Sequence, residues 1–197
     1  AVNIVGTAYG NTFTFTTLDA PNLQLPNLGL AGNFGILSKS GITNVYKSTI
    51  TGDVGTSPIA GTALLLACDE VVGTIYTVND AGPACRVVNA SMLTTAILDM
   101  EAAYTDLAGR ANPHFINLHA GDLGGKTLVP GLYKWDSTLA IPLDVTLAGS
   151  SNDVWIFQIS GNLTMSSAVK IMMEGGAQVK NVFWQVAGQV TLGTTSQ

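Results

Sequence analysis

Three short segments recur in the C-terminal third of the chain: Ser137-Thr138-Leu139-Ala140, Gly161-Asn162-Leu163-Thr164 and Gly188-Gln189-Val190-Thr191. Each sets one apolar residue among small, hydroxyl or amide neighbours, so the chemistry on offer is hydrogen bonding and methyl contact. The starts are 24 and 27 residues apart (161 − 137 and 188 − 161), an interval typical of stacked architectures. In such a stack equivalent residues lie about 4.8 Å apart between coils, and outward residues i and i+2 about 6.7 Å apart along a strand. The repeat therefore predicts a flat, nearly uncharged array rich in Thr. Its expected outward residues are Thr138, Ala140, Asn162, Thr164, Gln189 and Thr191. Ser40 and Thr43, from the similar segment Ser40-Gly41-Ile42-Thr43, join them. Thr49 and Thr51 alternate in the same way but are assigned to another face.

Strands must carry this array. Aromatic-rich, alternating runs precede the last two segments, Val154-Trp155-Ile156-Phe157-Gln158-Ile159 and Val182-Phe183-Trp184-Gln185-Val186, and Gly131-Leu132-Tyr133-Lys134-Trp135 is their weaker counterpart. A coil of roughly 24 to 27 residues suits three short strands joined by tight corners, which reads as a mainly β chain folded into a three-faced β-helix. An earlier coil is expected from Asn33-Phe34-Gly35-Ile36-Leu37 through Ser48-Thr49-Ile50-Thr51-Gly52-Asp53-Val54-Gly55, the latter read as one strand. Between it and the later coils lies an insertion, about 59–90, that holds both cysteines. A helix is expected over 91–109, where Leu93, Ile97, Met100, Tyr104 and Leu107 recur at three- and four-residue steps. Ser91 is its expected N-cap and Gly109 its stop. Residues 1–24 read as an N-terminal extension or cap strand, with a clean alternation over Asn11–Thr17, and 25–197 as the solenoid domain.

Composition narrows the function. Charged residues make up 11% of the 197, against roughly 25% in an ordinary soluble domain, and 22 glycines supply corners. The net charge of −5, with no Lys/Arg cluster, speaks against nucleic acid. No apolar run reaches the 18 residues a membrane helix needs, despite a mean hydropathy of +0.35. Cys68 and Cys85 are the only cysteines. A bond closing their 17-residue separation (85 − 68) would contribute about 3 kcal/mol in the chain-entropy model; two buried free thiols are the alternative. An even cysteine count and low charge favour an exported protein.

Catalytic arrangements are sparse. His114 and His119, five apart and close to Asp122, are the nearest approach to a site, and read rather as surface or corner residues. Asp99, Glu101 and Asp106 fall on the wet side of the helix, while Asp136, Asp144, Asp153 and Glu174 fall near strand ends, where carboxylates serve turns. No Ser-His-Asp, metal-spacing or phosphate-loop motif stands out.

Four longer phrases carry a resemblance: Ala31-Gly32-Asn33-Phe34-Gly35-Ile36-Leu37, Thr51-Gly52-Asp53-Val54-Gly55-Thr56-Ser57-Pro58, Leu128-Val129-Pro130-Gly131-Leu132-Tyr133-Lys134-Trp135 and Asp153-Val154-Trp155-Ile156-Phe157-Gln158-Ile159. They are similar to the ice-binding (antifreeze) protein family that carries the domain of unknown function 3494, in the family's order and spacing from about Leu28 to Gln197. The resemblance implies a discontinuous, right-handed β-helix with one long α-helix alongside. It also implies a capping insertion tied by a disulfide of the bacterial type, here Cys68 to Cys85, and no cofactor or metal. The implied partner is the ice surface, bound through one flat β face and giving thermal hysteresis and recrystallisation inhibition; the implied location is extracellular. Family members normally continue for one more coil after the position of Gln197, so either the chain is a fragment or residues 1–24 stand in for that coil, and an open solenoid end would invite self-association. The competing readings are an adhesin or structural module using the same face and, behind it, a polysaccharide-acting enzyme.

Overall fold

The computed structural model describes residues 23–44 and 47–197. The expected cap strand over Asn11–Thr17 lies outside the described residues. The first part of the chain contributes β1 (Phe34–Ser38), β2 (Ile42–Thr43), β3 (Ile50–Thr51), β4 (Asp53–Thr56), β5 (Leu64–Leu65), β6 (Val71–Val72), β7 (Ile75–Thr77) and β8 (Val87–Val88), followed by α1 (Ala90–Gly109). Beyond the helix come β9 (Phe115–Ile116), β10 (Thr127–Leu128), β11 (Gly131–Trp135), β12 (Leu139–Ile141), β13 (Val145–Ala148), β14 (Trp155–Ile159), β15 (Leu163–Met165), β16 (Ile171–Glu174), β17 (Val182–Val186) and β18 (Val190–Leu192).

Among the described residues every strand pairing is parallel, as stacked coils require. The strands form two separate stacks. The first has faces β1-β4-β7-β8, β2-β5 and β3-β6; the second has faces β9-β11-β14-β17, β12-β15-β18 and β10-β13-β16. The run Ser48–Gly55, expected as one strand, is two: Gly52, at φ +113°, turns a corner between β3 and β4. The cysteine-bearing segment adds coils to the first stack, since β5 to β8 all pair within it. Cys68 and Cys85 are disulfide-bonded, with Cα atoms 5.9 Å apart.

Alternation along the longest strands fixes the core of the second stack. Tyr133, Phe157 and Trp184 occupy one register column, continued by Phe115 on β9. Their ring centroids are 4.4, 5.2 and 4.1 Å apart in turn, close to the strand spacing of about 4.8 Å, so a ladder of stacked rings follows from the register itself. The opposite side of these strands, Leu132, Ile156 and Phe183, meets Leu107 of α1.

The helix bridges both stacks. It begins one residue earlier than expected because Asn89, not Ser91, is the N-cap: the Asn89 Oδ1 accepts the Met92 N–H at 3.2 Å, a bond that Ser91, already inside the first turn, is misplaced to make. Leu93 packs so close to Gly55 that any Cβ there would lie 2.6 Å from the leucine methyl. Leu93, Ala96, Ile97, Ala103 and Leu107 are buried, but Tyr104, expected in the buried stripe, is exposed. It overhangs the open side of β17, where no further coil covers it among the described residues.

Two buried polar groups tie the architecture together. The Gln158 Nε2 donates to the carbonyls of Leu107 at 2.6 Å and Arg110 at 2.9 Å, satisfying the end of α1 from a strand. Gln158→Leu removes both bonds from a buried site and is expected to cost about 1–3 kcal/mol, read from the urea midpoint; an unchanged midpoint would mean that water replaces the amide. Glu70, 2% exposed, accepts the backbone N–H groups of Ser48 and Ala67, each at 2.8 Å, and the Asn44 Nδ2 at 2.5 Å. These donors, the Ser48 N–H foremost, hold its carboxyl below the ordinary value of 4.5. A carboxyl lowered on folding adds stability above its unfolded value, and that stability is lost as pH falls through the folded one. Thermal melts are therefore expected to fall below about pH 4.5, and Glu70→Gln to flatten that dependence while lowering the melting temperature at pH 7. An unaltered acid slope in the variant would refute the assignment.

Candidate functional site

The face β12-β15-β18 is built by a three-residue strand repeated in register. Leu139 and Leu163 point inward and are buried, as are Ile141 and Met165. The residue between them must then point outward: Ala140, Thr164 and Thr191 form one column. Two residues earlier in each coil stand Thr138, Asn162 and Gln189, all exposed. Here the structure adds a device. The Thr138 Oγ1 accepts the Asn162 N–H at 3.3 Å, and the Asn162 Oδ1 accepts the Gln189 N–H at 2.9 Å. Thr138 and Asn162 each thus fasten the next coil, which restrains their rotamers.

Six of the eight expected residues are thereby brought together in two columns. Ser40 and Thr43 are not joined to them by strand pairing. They belong to the β2-β5 face of the first stack, where Thr43 stands beside Leu65, itself 61% exposed, rather than beside another hydroxyl. Thr51 lies on β3, paired with Val72 of β6, on a further face.

The repeat holds more than the initial alignment caught. Ser166 and Ser167 follow β15, and Gly193 and Thr194 follow β18, with the Thr194 hydroxyl donating to the Ser167 Oγ at 3.1 Å. Extending the aligned segments by three residues at the same 27-residue offset (194 − 167) finds this pair. A smooth approach between the two coils is possible because position 193 is glycine, where a Cβ would meet the Ser167 N at 2.3 Å.

The residues considered for catalysis are engaged elsewhere. The His114 Nδ1 accepts the Leu132 N–H at 2.8 Å, fixing a strand. Asp122, Asp144 and Asp153 each accept a backbone N–H at a corner, from Gly124, Lys170 and Ser150. His119 lines a shallow polar groove with Asp122, Gly124 and Lys126. Among the described residues no group of three or more His, Cys, Asp or Glu side chains is placed to hold a metal ion, and no helix is long and apolar enough to cross a membrane. The arrangement that remains is a surface of methyl, hydroxyl and amide groups with no charged side chain at these six positions.

Comparison with known proteins bears on such a surface. A family profile described as ice-binding-like matches residues 36–197. The chain is 68% identical over 174 residues to an ice-binding protein of Flavobacterium frigoris (strain PS1), covering 88% of this chain and 63% of that protein. It is 56% identical over 168 residues to an ice-binding protein of a Colwellia species, covering 85% and 66%. The chain thus spans less than two thirds of the length of these two relatives. Among solved structures, a glycosylated ice-binding protein from Arctic yeast superposes with a TM-score of 0.80 at 37% identity, over 87% of this chain and 77% of that one. An ice-binding protein from an Antarctic biological consortium gives a TM-score of 0.71 at 25% identity, over 94% of each chain.

Proposed function

The chain belongs to the ice-binding-like family, and from that premise we propose that it adsorbs to ice through the face β12-β15-β18, giving thermal hysteresis and inhibiting recrystallisation. One observation carries the choice of face: the two in-register, uncharged columns Thr138/Asn162/Gln189 and Ala140/Thr164/Thr191. Hydroxyls on this lattice hydrogen-bond water while the adjacent methyls limit its arrangements, so a few waters are held in positions that an ice plane shares. Water bridges cost little relative to direct contacts, and a surface already rigid loses little entropy on binding. Single contacts are weak; adhesion comes from their number.

Adsorption rather than catalysis is the activity we assign, because Asp122, Asp144, Asp153 and His114 are engaged in turns and strands. The disulfide supports an extracellular location, and the domain is read as 25–197 with its capping segment at 59–90.

The test is the growth of a single ice crystal in a nanolitre osmometer at micromolar protein. Faceting with a hysteresis gap is expected. Round, freely growing crystals from protein shown to be folded by circular dichroism would overturn the assignment.

A further inference from the structure

The column that contains Thr164 does not stop at the first strand of its sheet. Asp122 makes an isolated parallel bridge to Ala140, and the Leu123 N–H donates to the Ala140 carbonyl at 3.0 Å, so the ladder continues for one more position. Gly121 and Leu123 on either side of Asp122 are buried, whereas Asp122 is exposed. Strand alternation therefore turns its side chain to the side that Ala140 occupies. The column reads Asp122, Ala140, Thr164, Thr191. Its first member carries a full negative charge where the other three are a methyl and two threonines.

A carboxylate holds water tightly and in its own geometry, and stripping or reordering that water is costly. Asp122 is also held in place, because its Oδ1 accepts the Gly124 N–H at 2.8 Å, so it cannot swing clear without breaking the corner. We propose that Asp122 is the boundary residue of the adsorbing surface: its charge excludes an otherwise continuous fourth row and limits the area that meets ice. This rests on the adsorption reading above. It adds a specific claim, that the strength of adhesion is capped by one side chain at a coil corner.

Two neutral variants separate charge from structure. Asp122→Asn keeps an oxygen that can accept the Gly124 N–H while removing the charge; Asp122→Thr adds the hydroxyl and methyl of the neighbouring rows. Thermal hysteresis at equal molar concentration is expected to rise in both, in the ratio of four rows to three, about 1.3-fold if adhesion follows contact area. Wild-type hysteresis in folded Asp122→Asn and Asp122→Thr overturns the proposal, and a gain confined to Thr overturns its electrostatic basis. If the Thr variant fails to fold, the Asn variant alone decides. Thr164→Tyr measured alongside keeps the two readings apart: loss at 164 with no gain at 122 removes the boundary and leaves the face, whereas activity retained at 164 removes the face itself.

Discussion

Thr164→Tyr is expected to abolish thermal hysteresis while leaving the melting temperature within about 2 °C of the parent, a surface substitution being worth at most about 0.5 kcal/mol. Thr164 sits at the middle of its column, between Ala140 and Thr191. A phenol ring there stands several ångströms proud of a lattice whose adhesion depends on many shallow contacts being made at once. It lifts the neighbours on both sides out of reach of the crystal. The fold loses little: the Thr164 hydroxyl gives up one long bond to the Leu139 carbonyl, at 3.5 Å, while Tyr is favoured on strands and position 164 already faces solvent. Met172→Tyr on β16 is the matched control: Met172 is 43% exposed, and its register partners Thr146 and Thr127 define a different face. That variant is expected to keep wild-type hysteresis. Equal loss in both variants would mean that bulk anywhere on the solenoid interferes, and the assignment of the face would fall.

What was legible in the sequence is what repeats locally. The aromatic-rich, alternating run Trp155–Ile159 announces a strand, and the step of Leu93, Ile97 and Leu107 announces a helix; both stand in the structure, where the strand is buried on both sides. Features that depend on partners distant in sequence were not legible. Tyr104 fits the helical stripe by spacing, yet its exposure depends on what lies across from β17. Ser91 is as good a cap residue as Asn89 by type; only the point where the chain leaves β8 decides between them. Asp122 joins the face through a single bridge to a residue 18 positions on (140 − 122), which no periodicity records. The same holds for Ser40 and Thr43. Their local motif resembles the later ones, but parallel pairing, which needs a long crossover, joins β2 to β5 and places Thr43 beside Leu65.

The aromatic ladder carries the largest expected effect on stability. Phe157 is fully buried, with ring centroids 5.2 Å from Tyr133 and 4.1 Å from Trp184. Phe157→Ala removes a ring with a neighbour on each side, and strands fixed by parallel pairing on both edges cannot collapse to fill the space. A loss of about 3–5 kcal/mol is expected, a large share of the roughly 5–15 kcal/mol that holds an ordinary domain together. For a chain of this size that corresponds to a melting temperature lower by about 6–20 °C. Phe157→Leu, which keeps most of the volume, should cost clearly less. A loss under about 1 kcal/mol in the alanine variant would show that the ladder is not the core's main support. At temperatures where Phe157→Ala remains folded, hysteresis per folded molecule should match the parent, since β14 lies on a different face from β15. Thr164→Tyr and Phe157→Ala are thus expected to fail in opposite ways, one losing activity at full stability and the other losing stability at full activity. That dissociation is what a solenoid predicts when adhesion depends only on outward side chains and folding on inward ones.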